Sequence, residues 1–195
     1  MPVEWGKGFL SLKPLSSWIV ELLQRTEFWQ KWIDNGSPPT IWISGFIFPQ
    51  AYFTALLQNF ARKHFIAIDE LNFDFKIVDN YTKDEITEKP DDGAYVYGMF
   101  MEGARWNNQT HIVDDSIPKQ LYTEMPVIWF IPKRNRVKPE TGIYNCPMYK
   151  VLSRSGTLST TGHSTNYCMM LELPSDRPED EWIRAGVAVF LSLRY

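Results

Sequence analysis

The sequence predicts an α+β protein in which an N-terminal helical hairpin is followed by a six-stranded antiparallel β-barrel. Apolar residues recur every three or four positions in the first third of the chain, and they alternate with polar residues in short runs after residue 68. The chain has 195 residues, of which 44% are hydrophobic and 15% aromatic, so it can bury a substantial core. The change of period divides it into a predicted helical segment, residues 1–68, and a predicted barrel domain, residues 69–195.

Two amphipathic helices are predicted in the helical segment. The first runs from Leu15 to Ile33, where apolar residues fall three and four positions apart, with Pro14 in front of it and Gly36 behind it. The second follows Pro49, and its apolar residues again share one face of the helix. The stretch IWISGF between the two helices is therefore expected to be the loop of a hairpin.

Six short β-strands are predicted in the rest of the chain. In NFDFKIV, for example, Phe73, Phe75 and Ile77 alternate with charged residues. Six such strands suit an antiparallel sandwich or barrel, and closure into a barrel is favoured because it removes unpaired edges. One helical turn is expected at PEDEWIR, before the last strand. The predicted strands lie at residues 72–78, 94–101, 127–131, 146–152, 165–173 and 187–193.

The composition argues against several classes of function. A net charge of -3 without a clustered basic face is atypical of nucleic-acid-binding domains. No run approaches the ~18 apolar residues of a membrane span, and no leader pattern opens the sequence, so we expect neither membrane contact nor secretion. Cys146 and Cys168 are too few for a zinc or disulfide framework, and we expect them to be reduced thiols in the cytoplasm.

The stretch RSGTLSTTGHSTNY combines hydroxyl groups, glycines and a histidine, which raises the question of a phosphate or catalytic loop. A phosphate-binding loop has four residues between its glycines and then Lys, whereas five residues separate Gly156 from Gly162, and His163 occupies the place of the Lys. The G-x-S-x-G pattern of a serine nucleophile is also missing. We therefore predict a structural turn that involves Gly156, Gly162 and His163.

Aromatic and basic residues supply candidates for partner contacts. The eight tryptophans could line a groove, although packing in the core is favoured, and Trp106 is the best candidate for an exposed one. The basic run KRNRVK, which contains Lys133, Arg134 and Arg136, is expected to be a solvated loop or to dock on an acidic partner. No His or Cys pair has the spacing of a metal site.

Five blocks of the sequence, taken in order, resemble the C-terminal region of dynein heavy chains. The forms YVYGMFMEGARW and GTLSTTGHSTN are more similar to the axonemal branch of that family than to the cytoplasmic branch. The resemblance runs from about Trp5 to the last strand, which makes it more specific than any single motif. The blocks are SLKPLSSWIVELLQR, WISGFIFPQAYFTALLQNFARK, GAYVYGMFMEGARWN, SRSGTLSTTGHSTNY and LPSDRPEDEWIRAGVA.

The resemblance implies that this chain is the C-terminal part of a very large motor polypeptide. In that family a helical segment and a six-stranded antiparallel barrel lie against one face of a ring of ATPase modules. The nucleotide-binding motifs, the microtubule-binding stalk and the linker lie upstream and are absent from this sequence. The implied role is non-catalytic: the domain braces the ring and modulates ATP-driven, microtubule-based movement. No cofactor is then expected in this fragment, because ATP and Mg²⁺ belong to the upstream ring.

The resemblance also implies partners and a location. The partners would be the upstream ATPase ring modules of the same polypeptide and the other subunits of the dynein complex, with microtubules reached only through the absent stalk. The location would be the cytoplasm and cytoskeleton, in the axoneme of a cilium. From the residues alone, two other classes stay open: a free-standing, aromatic-rich β-barrel that binds a peptide or glycan, and an acyl-transfer enzyme.

The aromatic residues of WISGFIFPQAYF give the predicted contact surface. Among them, Phe46 and Phe48 contribute to more aromatic surface than two short helices can bury between themselves. Part of that surface is expected to meet the preceding ring module. The alternative is that the barrel itself covers these aromatic side chains.

Overall fold

Three complete α-helices and eleven strands lie within the part of the protein that the computed structural model describes, residues 3–4, 14–152, 154 and 166–193. The helices are α1 (Leu15–Asn35), α2 (Pro49–His64) and α3 (Glu179–Ala185). The strands are β1 (Thr40–Trp42), β2 (Leu71–Val78), β3 (Ala94–Tyr97), β4 (Phe100–Glu102), β5 (Ala104–Asn107), β6 (Ile112–Asp115), β7 (Tyr122–Glu124), β8 (Val127–Arg134), β9 (Ile143–Val151), β10 (Tyr167–Pro174) and β11 (Ala188–Ser192).

The boundaries of the helices follow from their local sequence. Pro14 precedes α1, and Gly36 ends it with a φ of 79° that a residue with a side chain rarely adopts. Pro49 is the first residue of α2, where its missing N–H costs no helical hydrogen bond. The sequence therefore predicted both long helices correctly, although α2 ends at an exposed Phe65 in the left-handed conformation without any glycine.

The strands form two main sheets and one separate hairpin. The first sheet has the order β1-β3-β8-β2, and the second has the order β10-β9-β11-β4-β7. Strands β5 and β6 pair only with each other among the described residues. β2 and β8 are matched along their whole length, from Leu71 opposite Arg134 to Val78 opposite Val127.

The predicted six-stranded antiparallel barrel is wrong. The described strands form open sheets instead of a closed one, and the β1–β3 and β9–β11 pairs are parallel. The predicted strand at residues 94–101 is in fact two strands in different sheets, because Gly98 turns the backbone with a φ of 84°. The short strands β5, β6 and β7 all lie between two of the predicted runs and were missed.

The predicted hairpin loop between the helices is also wrong. The stretch IWISGF contributes β1 and a buried 3-10 turn at Ile43–Gly45. Ile41 and Ile43 are 2% and 0% exposed, so this segment enters the core instead of passing over the surface. β1 pairs with β3 across the predicted boundary at residue 68, and the division into two domains stays a prediction.

The main core lies where α2 packs on the first sheet and where the two sheets face each other. The ring of Phe53 on α2 stacks on Phe130 of β8, with centroids 4.9 Å apart, and meets the edge of Phe73 on β2 at 6.1 Å. From the second sheet, Cys146 and Leu171 belong to the same buried cluster. Aromatic pairs of this kind add to the hydrophobic effect of burial, so this cluster holds the helix and both sheets together.

Two glycines with positive φ allow a matched test of this packing. A Cβ at Gly93 would lie 2.0 Å from the carbonyl oxygen of Phe130, whereas a Cβ at Gly142 would meet no atom within 4 Å. We expect Gly93→Ala to lower the free energy of unfolding by about 3 kcal/mol, through backbone strain and overpacking together. Gly142→Ala should cost about 1 kcal/mol, from strain alone. Denaturant unfolding of both variants tests this, and equal losses would contradict it.

Candidate functional site

The outer face of α1 carries a strip of exposed apolar side chains, which we call the α1 row: Leu15, Ile19, Val20 and Leu23. Their exposed fractions are 56%, 42%, 54% and 64%. Residues four positions apart lie on one side of a helix, so Leu15, Ile19 and Leu23 are aligned, with Val20 beside them. A continuous apolar strip of this kind is typical of an interaction surface, whereas single exposed apolar residues are ordinary.

The inner face of α1 holds an ion pair at a position where apolar residues are usual. The Arg25 guanidinium donates to Glu21 Oε1 at 2.6 Å, and the two side chains are only 8% and 10% exposed. The guanidinium also lies over the ring of Trp42, 5.5 Å from its centroid. Burial lowers the pKa of Arg25, and the hydrogen bond and charge of Glu21 oppose that shift. Because this pair faces inward, the α1 row faces outward.

A groove of about 560 Å³ continues the α1 row towards the second sheet. Val20 lines it on the helix side, and Leu191 and Leu193 line it at the end of β11. Phe100 of β4 adds an aromatic wall. Since Val20 belongs both to the row and to the groove, the two features form one apolar surface.

Phe46 lies in an aromatic cluster that joins α1 to α2. Its ring centroid is 4.8 Å from Trp29 of α1 and 4.8 Å from Tyr52 of α2, and Trp32 is 6.0 Å away. Phe46 is half-buried, whereas Phe48 is 42% exposed. Burial in this cluster also raises the pKa of Tyr52. Contact of Phe46 or Phe48 with a partner stays a prediction, and Phe48 is the more accessible of the two.

The expected exposure of Trp106 is wrong, because this residue lies in the core with 8% of its surface exposed. Its indole Nε1 donates to Asp79 Oδ2 at 3.0 Å, and His111 Nδ1 is 2.6 Å from the same oxygen. Burial acts to raise the pKa of Asp79, but the hydrogen bonds from Trp106 and His111 outweigh it and lower that pKa below its usual value. These contacts fasten the β5–β6 hairpin to the residue that follows β2. A partner contact of Trp106 stays a prediction.

Lys133, Arg134 and Arg136 each face a carboxylate of this protein. Lys133 Nζ lies 3.5 Å from Asp74, Arg134 pairs with Glu70, and Arg136 Nε donates to Asp74 at 2.9 Å. The basic run is therefore largely neutralised inside the domain. Its docking on an acidic partner stays a prediction.

Arg136 is the most buried of the three basic residues, with 9% of its side chain exposed. It donates both Nη groups to Glu172, at 2.9 Å and 2.6 Å, in addition to its bond with Asp74. The bond to Glu172 raises the pKa of Arg136. Burial acts to raise the pKa of Asp74, but Arg136 and Lys133 outweigh it and lower that pKa. This cluster is thus a fixed, ionised contact between separate strands.

The remaining predicted residues belong to the structural turn and to the two thiols. Gly156, Gly162 and His163, assigned to a structural turn, lie outside the described residues. Burial raises the pKa of the Cys146 thiol, and it raises the pKa of Cys168 to about 12, so neither is a thiolate near neutral pH. Among the described residues, no three His, Cys, Asp or Glu side chains are grouped to hold a metal, and no helix is long and apolar enough to span a bilayer.

The sequence that forms these helices and open sheets matches a known family of domains. The family described as the C-terminal domain of the dynein heavy chain matches residues 1–191. The protein therefore belongs to this family of dynein domains. The resemblance seen in the five sequence blocks is confirmed.

Relatives from the axonemal branch match the sequence over its whole length. Dynein axonemal heavy chain 1 of Rattus norvegicus is 53% identical over 196 residues, which cover 100% of this chain and 4% of the relative. Dynein axonemal heavy chain 3 of Homo sapiens is 46% identical over 99% of this chain and 5% of the relative. Dynein axonemal heavy chain 6 of Homo sapiens is 40% identical, with the same two shares. The sequence thus spans about a twentieth of the length of these relatives.

Sequence reasoning missed the α1 row. The spacing of apolar residues in α1 suggested that Leu15, Ile19 and Ile33 face the core, but these three are exposed and Glu21 and Arg25 are buried. The available signal was the four-residue spacing of Glu21 and Arg25, which allows an ion pair on one helix face. That signal does not say which face is buried, because the same pair is common on solvated helices.

The two aromatic residues of the predicted contact surface should respond differently to truncation. We expect Phe46→Ser to lower the free energy of unfolding by about 3 kcal/mol, because it removes the ring that joins α1 to α2. Phe48→Ser, at an exposed position, should change it by less than about 0.5 kcal/mol. Denaturant unfolding of the two single variants measures both values. A loss at Phe48 as large as that at Phe46 would contradict this assignment.

Proposed function

We propose that this protein is a non-catalytic domain that braces the ATPase ring of an axonemal dynein heavy chain and modulates its ATP-driven movement along microtubules. The observation that carries the proposal is the apolar surface made by the α1 row and its groove. Membership of the C-terminal domain family and the small share of each relative that is matched mean that most of such a polypeptide precedes this domain. That preceding part is the partner we assign to the α1 row.

The way α1 is held suits a mechanical role. Trp18 is 4% exposed, and the Glu21–Arg25 pair is buried on the same face of α1. A force applied to the α1 row would pass through these buried contacts to Trp42 and the first sheet, because Arg25 lies over the Trp42 ring. Packed interiors resist compression, so the domain would transmit or oppose a shift of the ring without a change in its own packing.

The proposal also assigns cofactors, partners and a location. ATP and Mg²⁺ would be held by the upstream ring, and this domain would hold no cofactor. Its partners would be the upstream ring modules and the other subunits of a dynein complex, and microtubules would be reached through a stalk outside this sequence. The axonemal names of the relatives favour the cytoskeleton of a cilium as the location.

A matched pair of surface variants tests the bracing role in the full-length dynein polypeptide. Ile19→Ser with Leu23→Ser removes two members of the α1 row, which are 42% and 64% exposed. Ile117→Ser with Leu121→Ser is the control, since these residues have the same spacing and are 44% and 71% exposed outside that surface. We expect the first double variant to change microtubule gliding velocity in the same direction as deletion of the domain, and the control to leave it unchanged.

The reason is that weakened docking should uncouple the domain from the ring without unfolding it. A cooperative melt of the isolated domain with Ile19→Ser and Leu23→Ser confirms that the fold survives. Unchanged gliding after deletion of the whole domain would show that it is not a brace. An effect of the control pair equal to that of the α1 pair would show that the α1 row is not the contact.

Nucleotide binding by the isolated domain is a second test. We expect no heat of ATP binding at micromolar concentrations in the presence of Mg²⁺, because the sequence has no glycine loop followed by Lys and Ser or Thr. Isothermal titration calorimetry measures this directly, with a nucleotide-binding ATPase module as the positive control. Saturable binding would require a nucleotide site in this domain and would overturn its non-catalytic assignment.

A further inference from the structure

The two main sheets face each other along a seam between their edge strands β2 and β10. Among the described residues, β2 has backbone pairing only with β8, and β10 only with β9. The strands are close in space, yet no ladder of backbone hydrogen bonds joins them in the described residues. The seam is therefore one place where the described strands do not close into the barrel predicted from the sequence.

Arg136 spans this seam with one side chain. Its Nε donates to Asp74 of β2 at 2.9 Å, and its two Nη groups donate to the carboxylate of Glu172 on β10 at 2.9 Å and 2.6 Å. Two-pronged pairing of a guanidinium with a carboxylate is among the strongest and most directional side-chain contacts. The burial of Arg136 and Glu172, 9% and 13% exposed, protects the pair from screening by salt.

Other contacts across the seam are of a different kind. Helix α2 packs on β2, β8 and β10, and Gln50 of α2 donates to the carbonyl oxygen of Tyr167 at the start of β10 at 3.1 Å. These contacts fix the Tyr167 end of β10 to the helix. Glu172 lies near the other end of that strand, so Arg136 holds the end that the Gln50 bond does not reach.

We propose that Arg136 is a latch, and that the domain opens locally between β2 and β10 when this latch is released. Between any two neighbouring strands of the same sheet, separation would break a row of backbone hydrogen bonds. At the seam it breaks the contacts of Arg136 and those of α2 with one of the two strands, and it exposes the apolar surface beneath them. Proteins open first where the fewest cooperative contacts must be lost, so the seam opens at a lower free energy than the whole fold. This inference concerns the isolated domain and does not depend on the bracing role.

The protein has a natural reporter of such opening. Cys146 of β9 is 0% exposed and lies opposite Leu171 of β10 on the core side of the second sheet. The sequence has two cysteines, so Cys168→Ala leaves Cys146 as the single thiol. Its labelling by an aromatic disulfide reagent then measures how often the core behind the seam opens to solvent.

The experiment compares Arg136→Gln with Arg134→Gln, both in the Cys168→Ala background. Arg134 is the matched control, because its exposed pair with Glu70, 58% and 38% exposed, joins the end of β8 to the residue before β2 and does not reach β10. We expect Arg136→Gln to increase the labelling rate of Cys146 by about tenfold or more, as loss of hydrogen bonds to a charged group predicts. That rate should depend only weakly on denaturant, because local opening exposes little surface. Arg134→Gln should label like the Cys168→Ala parent.

Global unfolding is separated from local opening by an equilibrium denaturation curve of each variant. If the labelling of Arg136→Gln follows its global unfolding equilibrium and has the same denaturant slope, Arg136 only stabilises the fold and the latch is refuted. Labelling no faster than that of Arg134→Gln refutes it as well. Should Arg136→Gln lack a cooperative transition, Arg136→Lys is judged by the same criteria, because it retains the charge and loses the two-pronged bond.

Discussion

The buried ion pair between Glu21 and Arg25 decides which way α1 faces, and the rest of the interaction surface depends on that choice. An isolated buried charge is very costly, whereas a paired one is tolerated. The guanidinium of Arg25 lies over the ring of Trp42. If α1 rotated to bury its apolar side chains, the Glu21–Arg25 pair would leave its buried position and lose this contact. The domain therefore keeps an apolar strip exposed to water.

Local patterns predicted the elements of this fold better than their arrangement. Pro14, Gly36 and Pro49 mark the two long helices because their effect on the backbone is local. β2 was also predicted, since apolar residues alternate with charged ones along it. Whether two edges pair depends on residues far apart in the sequence, and no local signal revealed that Arg136 would stand between β2 and β10.

The candidate site was only partly accessible to sequence reasoning. The family was recognised because its signal is spread over ordered blocks of the whole sequence, and the comparison confirmed it. The aromatic cluster around Phe46 was foreseen as an excess of aromatic surface, but burial depends on partners such as Trp29 of another helix. Trp106 follows a glycine near a strand end. No local pattern predicted that Asp79, distant in sequence, would accept a hydrogen bond from its indole N–H.

The lengths of the sheet edges bear on how this domain behaves at high concentration. The outermost strands β1 and β7 have only three residues each, whereas the eight-residue edges of β2 and β10 face one another. An edge of three residues offers too few free backbone groups to template a strand from a second molecule. An open sheet architecture can therefore avoid edge-to-edge association without closure, since its long edges shield each other and its accessible edges are too short to seed aggregation.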